Sequence, residues 1–97
     1  MTRKIVQSQT TSQINKKWQK PKAIAPQHQI FITRVGEKLR TIRLEKNLSV
    51  SEAARQYGMS RSLYHQLENG RVYFTISTLL QVLDILNISG TDFFRDL

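Results

Sequence analysis

A chain of 97 residues, 39% of them hydrophobic, has room for one small core and not for two domains. It contains no cysteine, which excludes a disulfide framework and a thiolate metal site and fits a reducing cytoplasm. Its formal charge of +8, from 15 Lys and Arg against 7 Asp and Glu, favours polyanionic partners through counterion release.

The charge is unevenly spread. Arg3, Lys4, Lys16, Lys17, Lys20 and Lys22 lie in residues 1–32 without a single acid, whereas residues 33–97 nearly balance. Residues 1–29 are rich in Gln, Ser, Thr and Lys, contain Pro21 and Pro26, and show no sustained apolar period. They read as a basic, largely disordered arm, suited either to a nucleic-acid backbone or simply to solubility. Trp18 stands apart there, a large ring that could dock on the domain, meet a partner or do neither. Arg3 and Lys4 lead into the polar run QSQTTSQ, so no secretory signal is expected, and no apolar run is long enough to span a membrane. The expected location is the cytoplasm, with no membrane partner.

Ile30-Phe31-Ile32 marks the entry into a folded unit over 30–97. Val35, Leu39 and Ile42 recur at helical spacing and predict a first helix from about Thr33 to Lys46, closed at Asn47. Ser49 followed by Glu52 forms a capping box that opens a second helix. Ala53 and Ala54 keep its middle slim, and Gly58 offers the left-handed residue that ends it. Ser60 can cap a third helix with Leu63, Tyr64 and Leu67 directed inward and Gly70 at its end. A connector, Arg71 to Phe74, leads to a fourth helix from about Thr75 to Leu86 whose expected inner face is Ile76, Leu79, Leu80, Leu83 and Leu86. Ser89-Gly90-Thr91-Asp92 can start a last short helix that brings Phe93 or Phe94 into the core. The predicted class is all-α, with five helices and no internal repeat.

The third helix carries the chemistry. Its outward residues, Arg61, Ser62, His65 and Gln66, can all hydrogen-bond to base edges or phosphates. Arg61 suits a bidentate contact to guanine, and Gln66, about one turn later, suits adenine. Taken by itself, such a face is equally an ordinary solvated surface.

The surrounding pattern adds to that reading. Residues 48–70, LSVSEAARQYGMSRSLYHQLENG, resemble the helix-turn-helix of the Cro and phage-repressor-like (XRE) family. VGEKLRTIRLEKNLS before them and TLLQVLDILNISGTDFF after them keep the family's order and spacing, so the likeness runs from roughly Val35 to Phe94. The phrase QLENG is especially close to lambdoid phage repressors. The resemblance implies a compact five-helix lambda-repressor-like domain and a sequence-specific DNA-binding transcriptional regulator. It further implies a repressor that binds double-stranded DNA as a dimer on an inverted repeat, with recognition helices about 34 Å apart.

By the same resemblance Ser60 opens the recognition helix and also faces phosphate, and Arg61, Ser62 and Gln66 reach bases, with His65 on the same face. Asn69 and Gly70 match positions that donate to phosphate, and the positive end of the second helix at Ser49 should do likewise. Arg43 and Glu68 match a pair that forms an internal salt bridge. Five positions depart from the family pattern. Val50 replaces a common glutamine that contacts phosphate, which shifts weight to Arg40, Arg71 and the arm. Ala53 stands where leucine is usual, Leu83 and Ile85 where smaller residues are common, and Phe74 where proline often opens the fourth helix.

Neither His28 nor His65 has a carboxylate spaced to orient it, and no metal-ligand or phosphate-loop motif occurs. The chain is therefore read as a non-enzyme without cofactors. Two alternatives remain open: an antitoxin whose arm, residues 1–29, neutralises a toxin, and a protein-interaction module that does not bind DNA. Self-association is expected to be a weak homodimer using Tyr73, Phe74, Phe93, Phe94 or Leu97.

Overall fold

The computed structural model describes residues 23–97, so Trp18 and the six basic residues of the arm lie outside the described residues. Five helices follow in order: α1 (Pro26–Glu45), α2 (Val50–Tyr57), α3 (Arg61–Glu68), α4 (Ile76–Leu86) and α5 (Gly90–Arg95). The described residues contain no strand.

Each boundary has a local cause. Pro26 occupies the first turn of α1, where its missing N–H costs nothing and its fixed φ fits the helix. The helix therefore begins seven residues before the expected Thr33, and residues 26–29, assigned by sequence to the arm, are helical. At the other end Asn47 adopts φ 56°, and the Leu48 amide bonds back to the Arg43 carbonyl at 3.1 Å, closing α1. In α2 the reciprocal Ser49–Glu52 box is complete, with bonds of 2.8 and 3.0 Å, and Gly58 at φ 74° ends the helix. Ser60, Thr75 and Ser89 each accept an amide N–H at the start of α3, α4 and α5. All four connections thus end in a serine or threonine cap.

The core gathers Val35 and Leu39 of α1, Ala53, Ala54 and Tyr57 of α2, Tyr64 of α3, Leu79, Val82, Leu83 and Leu86 of α4, and Phe93 of α5. Tyr57 and Tyr64 meet edge to face at 5.4 Å, a favoured aromatic geometry. Burial, aided by the neighbouring Glu68, raises the phenol pKa of both, and that of Tyr64 far above the ordinary range. Gly36 lets α1 and α3 touch: a methyl there would come within 2.6 Å of the Glu68 carbonyl oxygen. Only the smallest residue permits that approach.

Some inward assignments change. Leu63, Ile76 and Leu80 are exposed, and the inner face of α4 is centred on Leu79, Val82, Leu83 and Leu86. Of the two phenylalanines in α5, Phe93 is fully buried. It is not a surface for a second subunit, because its ring fills the core and Lys38 covers it, with Nζ 5.2 Å from the ring centre and bonded to the Phe93 carbonyl at 2.7 Å. Phe94 is half-buried and stacks on Phe31 at 6.2 Å. Phe74, beside Ile32 and Ile76, packs partly against the core.

Candidate nucleic-acid interface

The two sides of α3 are made differently. On the inner side Tyr64, Leu67 and Glu68 are buried. The Glu68 carboxylate accepts two bonds from Arg43 of α1, from Nε at 2.6 Å and from Nη2 at 3.1 Å. The third Arg43 nitrogen donates to the Leu48 carbonyl at 2.8 Å, between α1 and α2. Hydrogen bonding to Glu68 raises the guanidinium pKa further, so this is a charged, bidentate pair in a nearly closed site. It fixes α3 to α1 and to the connection before α2.

On the outer side Arg61, Ser62, His65, Gln66 and Asn69 are all exposed. None of these five is acidic, because the one carboxylate of α3 is the buried Glu68. The polar groups are also partly ordered. The Arg61 Nε donates to Ser51 Oγ of α2 at 3.0 Å, and Gln66 Nε2 donates to Ser62 Oγ at 3.3 Å. Arg61 and Gln66 belong to the first and second turns of a short helix, so both can reach into one groove.

The candidate phosphate contacts separate into those free to act and one that is not. Arg40 and Arg71 are exposed cations. Ser49 and Ser60 spend their hydroxyl acceptors on their own helix amides, at 3.0 and 3.1 Å, and Asn69 donates its side-chain amide to the His65 carbonyl at 2.8 Å. Gly70 does not fit the expected role. It is buried at φ 67°, and its amide donates to the Leu67 carbonyl at 3.2 Å, so no N–H is left for phosphate. Its carbonyl instead accepts Gln29 Nε2 at 2.8 Å, and the same Gln29 group reaches Thr33 Oγ1 at 2.9 Å.

Three residues of this region escaped the sequence reading. Ser51 braces Arg61, Gln29 ties the first turn of α1 to the end of α3, and Gly36 lets the two helices meet. Only Ser51 left a signal, a second hydroxyl beside the α2 cap. The candidate dimer residue Tyr73 is half-buried, and its hydroxyl lies 2.8 Å from His28 Nδ1 and accepts the Ala25 amide at 3.1 Å. Leu97 is half-buried against the core. Among the described residues, no three His, Cys, Asp or Glu side chains are grouped to hold a metal. Nor is any described helix long and apolar enough to cross a membrane.

Comparison with known proteins agrees with this geometry. Residues 34–93 match a family model described as a helix-turn-helix domain. No curated protein sequence matches the chain. Among solved structures, the restriction-modification controller protein C.AhdI from Aeromonas hydrophila is 27% identical, with a TM-score of 0.63 over 69% of this chain and 97% of the controller. The clp gene regulator ClgR from Corynebacterium glutamicum is 26% identical, with a TM-score of 0.60 over 66% of this chain and 68% of that one. The controller C.Esp1396I, solved as a tetramer with its natural 35 base-pair operator, is 25% identical, with a TM-score of 0.60 over 67% of this chain and 86% of its own. This protein belongs to the helix-turn-helix family of Cro and phage-repressor-like (XRE) regulators and carries the fold of a DNA-binding transcriptional regulator.

Proposed function

We propose that the protein is a sequence-specific transcriptional repressor that binds double-stranded DNA by laying α3 in the major groove. The observation that carries this reading is the outer face of α3: Arg61, Ser62, His65 and Gln66 are exposed together, on a helix whose inner face is fixed by the Arg43–Glu68 pair. A groove-reading helix needs that division, since its base-facing side chains must be free while its orientation is not.

Arg61 and Gln66 are the principal base readers, with Ser62 and His65 beside them. Arg40 and Arg71, and the helix starts at Ser49 and Ser60, set the register on the phosphates. The basic arm adds affinity by counterion release without choosing the sequence. The protein acts as a weak dimer that tightens on an inverted-repeat operator, where two half-sites raise the effective concentration of the second subunit. Tyr73, Phe74, Phe94 and Leu97 remain the candidate contacts, and the exposed Phe31 and Ile76 extend the same apolar region. That C.Esp1396I was solved as a tetramer on its operator supports an oligomeric mode of binding.

Selection of bound duplexes from a random pool at moderate salt tests the reading. An enriched inverted repeat with half-sites about one helical turn apart is the expected result. A pool without any enriched motif would reject it.

A further inference from the structure

Arg61 opens α3 from an exposed position, and an exposed arginine ordinarily samples many rotamers. Here its Nε is held by the Ser51 hydroxyl across the turn between the two helices, at 3.0 Å. Among the described residues that is the only hydrogen bond the Arg61 side chain makes, so its two terminal nitrogens remain available. Those terminal nitrogens form a planar fork that matches the O6 and N7 acceptors of guanine. With Nε occupied, the side-on fork made of Nε and one terminal nitrogen is closed, and the end-on fork is the one presented. Ser51 itself is exposed, caps nothing and is not needed by the α2 capping box, which Ser49 and Glu52 complete between themselves.

We propose that Ser51 is a positioning residue for base readout: its hydroxyl holds the Arg61 guanidinium end-on, so that this side chain demands guanine at one position of each half-site. The inference rests on the proposed DNA-binding function and deepens it. The serine needs no contact with DNA to act. It reduces the rotamer freedom that Arg61 would otherwise lose on binding, and it restricts which edge of the guanidinium meets the base.

The test compares base preference, not overall affinity. Wild type, Ser51→Ala, Ser51→Thr and Arg61→Ala are each put through pool selection, and their affinities for the selected duplex and for duplexes substituted at each position are measured at one salt concentration. Arg61→Ala should abolish a guanine preference at one half-site position and so identify it. Ser51→Ala should then lower the preference at that position by roughly two- to tenfold and leave the others unchanged, while Ser51→Thr, which keeps the hydroxyl, restores it. A uniform loss across all sequences in Ser51→Ala, with the guanine preference intact, would make Ser51 a phosphate contact and overturn the proposal. So would a guanine preference that survives Arg61→Ala. Failure of the wild type to select any motif is a different result, because it removes the DNA-reading function itself.

Discussion

The inner and outer faces of α3 share eight residues and almost nothing else. Inside, Glu68 is 7% exposed and held by two bonds from Arg43, Tyr64 is wholly buried, and the helix backbone lies against Gly36. Outside, among the described residues, the side chains of Arg61 and Gln66 donate only to two serine hydroxyls, at 3.0 and 3.3 Å. The inner face therefore determines where the helix sits, and the outer face has almost no part in holding the fold. Side chains without a structural duty can vary in identity at little cost in stability, which is what a surface that distinguishes one DNA sequence from another requires.

The largest effect should follow from breaking the inner face. Arg43→Met leaves the Glu68 carboxylate buried and unpaired, and chemical denaturation should show a loss of roughly 3–5 kcal/mol. Arg43→Met combined with Glu68→Leu should recover most of it, because no charge is then stranded. Gly36→Ala comes next. Its methyl meets backbone atoms of α3, which cannot yield as a flexible side chain would, and the expected loss is about 3 kcal/mol in the same measurement.

These two positions also mark how far the sequence alone could be read. The Ser49 and Ser60 caps, Gly58, Gly70 and the outer residues of α3 were legible because each depends on neighbours within a few positions. Gly36 and Gln29 were not, since their roles depend on how closely α1 passes α3. The start of α1 was missed for a different reason. Pro26 is a good first-turn residue, but the polar run around it masked the helix, and the exposed Ile30 and Phe31 supply no inward period. On α4 the run of apolar residues was wide enough to allow more than one inner face, and packing chose the one centred on Val82 and Leu83 over the one that includes Ile76 and Leu80.

A smaller effect sits at the start of α2. Ser49→Ala should cost about 1 kcal/mol by removing the α2 cap. The same box gives a pH dependence. The Ser49 amide first, and then its hydroxyl, hold the Glu52 carboxylate below the usual glutamate range. Its folded pKa is thus lower than the unfolded one, so the stabilisation is complete above the unfolded value and lost as pH falls through the folded value. An NMR titration of the Glu52 side chain should show the depressed value in wild type and a partial return toward normal in Ser49→Ala, which loses the hydroxyl and keeps the amide. The smallest effects belong to the outer face, where Ser62→Ala and His65→Ala should each change stability by less than about 0.5 kcal/mol.

The division of labour between the faces is tested most directly by one comparison, made on the duplex that the wild type selects. Arg61→Ala/Gln66→Ala is measured for its affinity for that duplex relative to a scrambled one at fixed salt, alongside its thermal midpoint. The account predicts an unchanged midpoint and a specificity ratio reduced by roughly 2–6 kcal/mol, from two bidentate contacts at about 1–3 kcal/mol each. A specificity ratio equal to that of the wild type, in a protein just as stable, would contradict it.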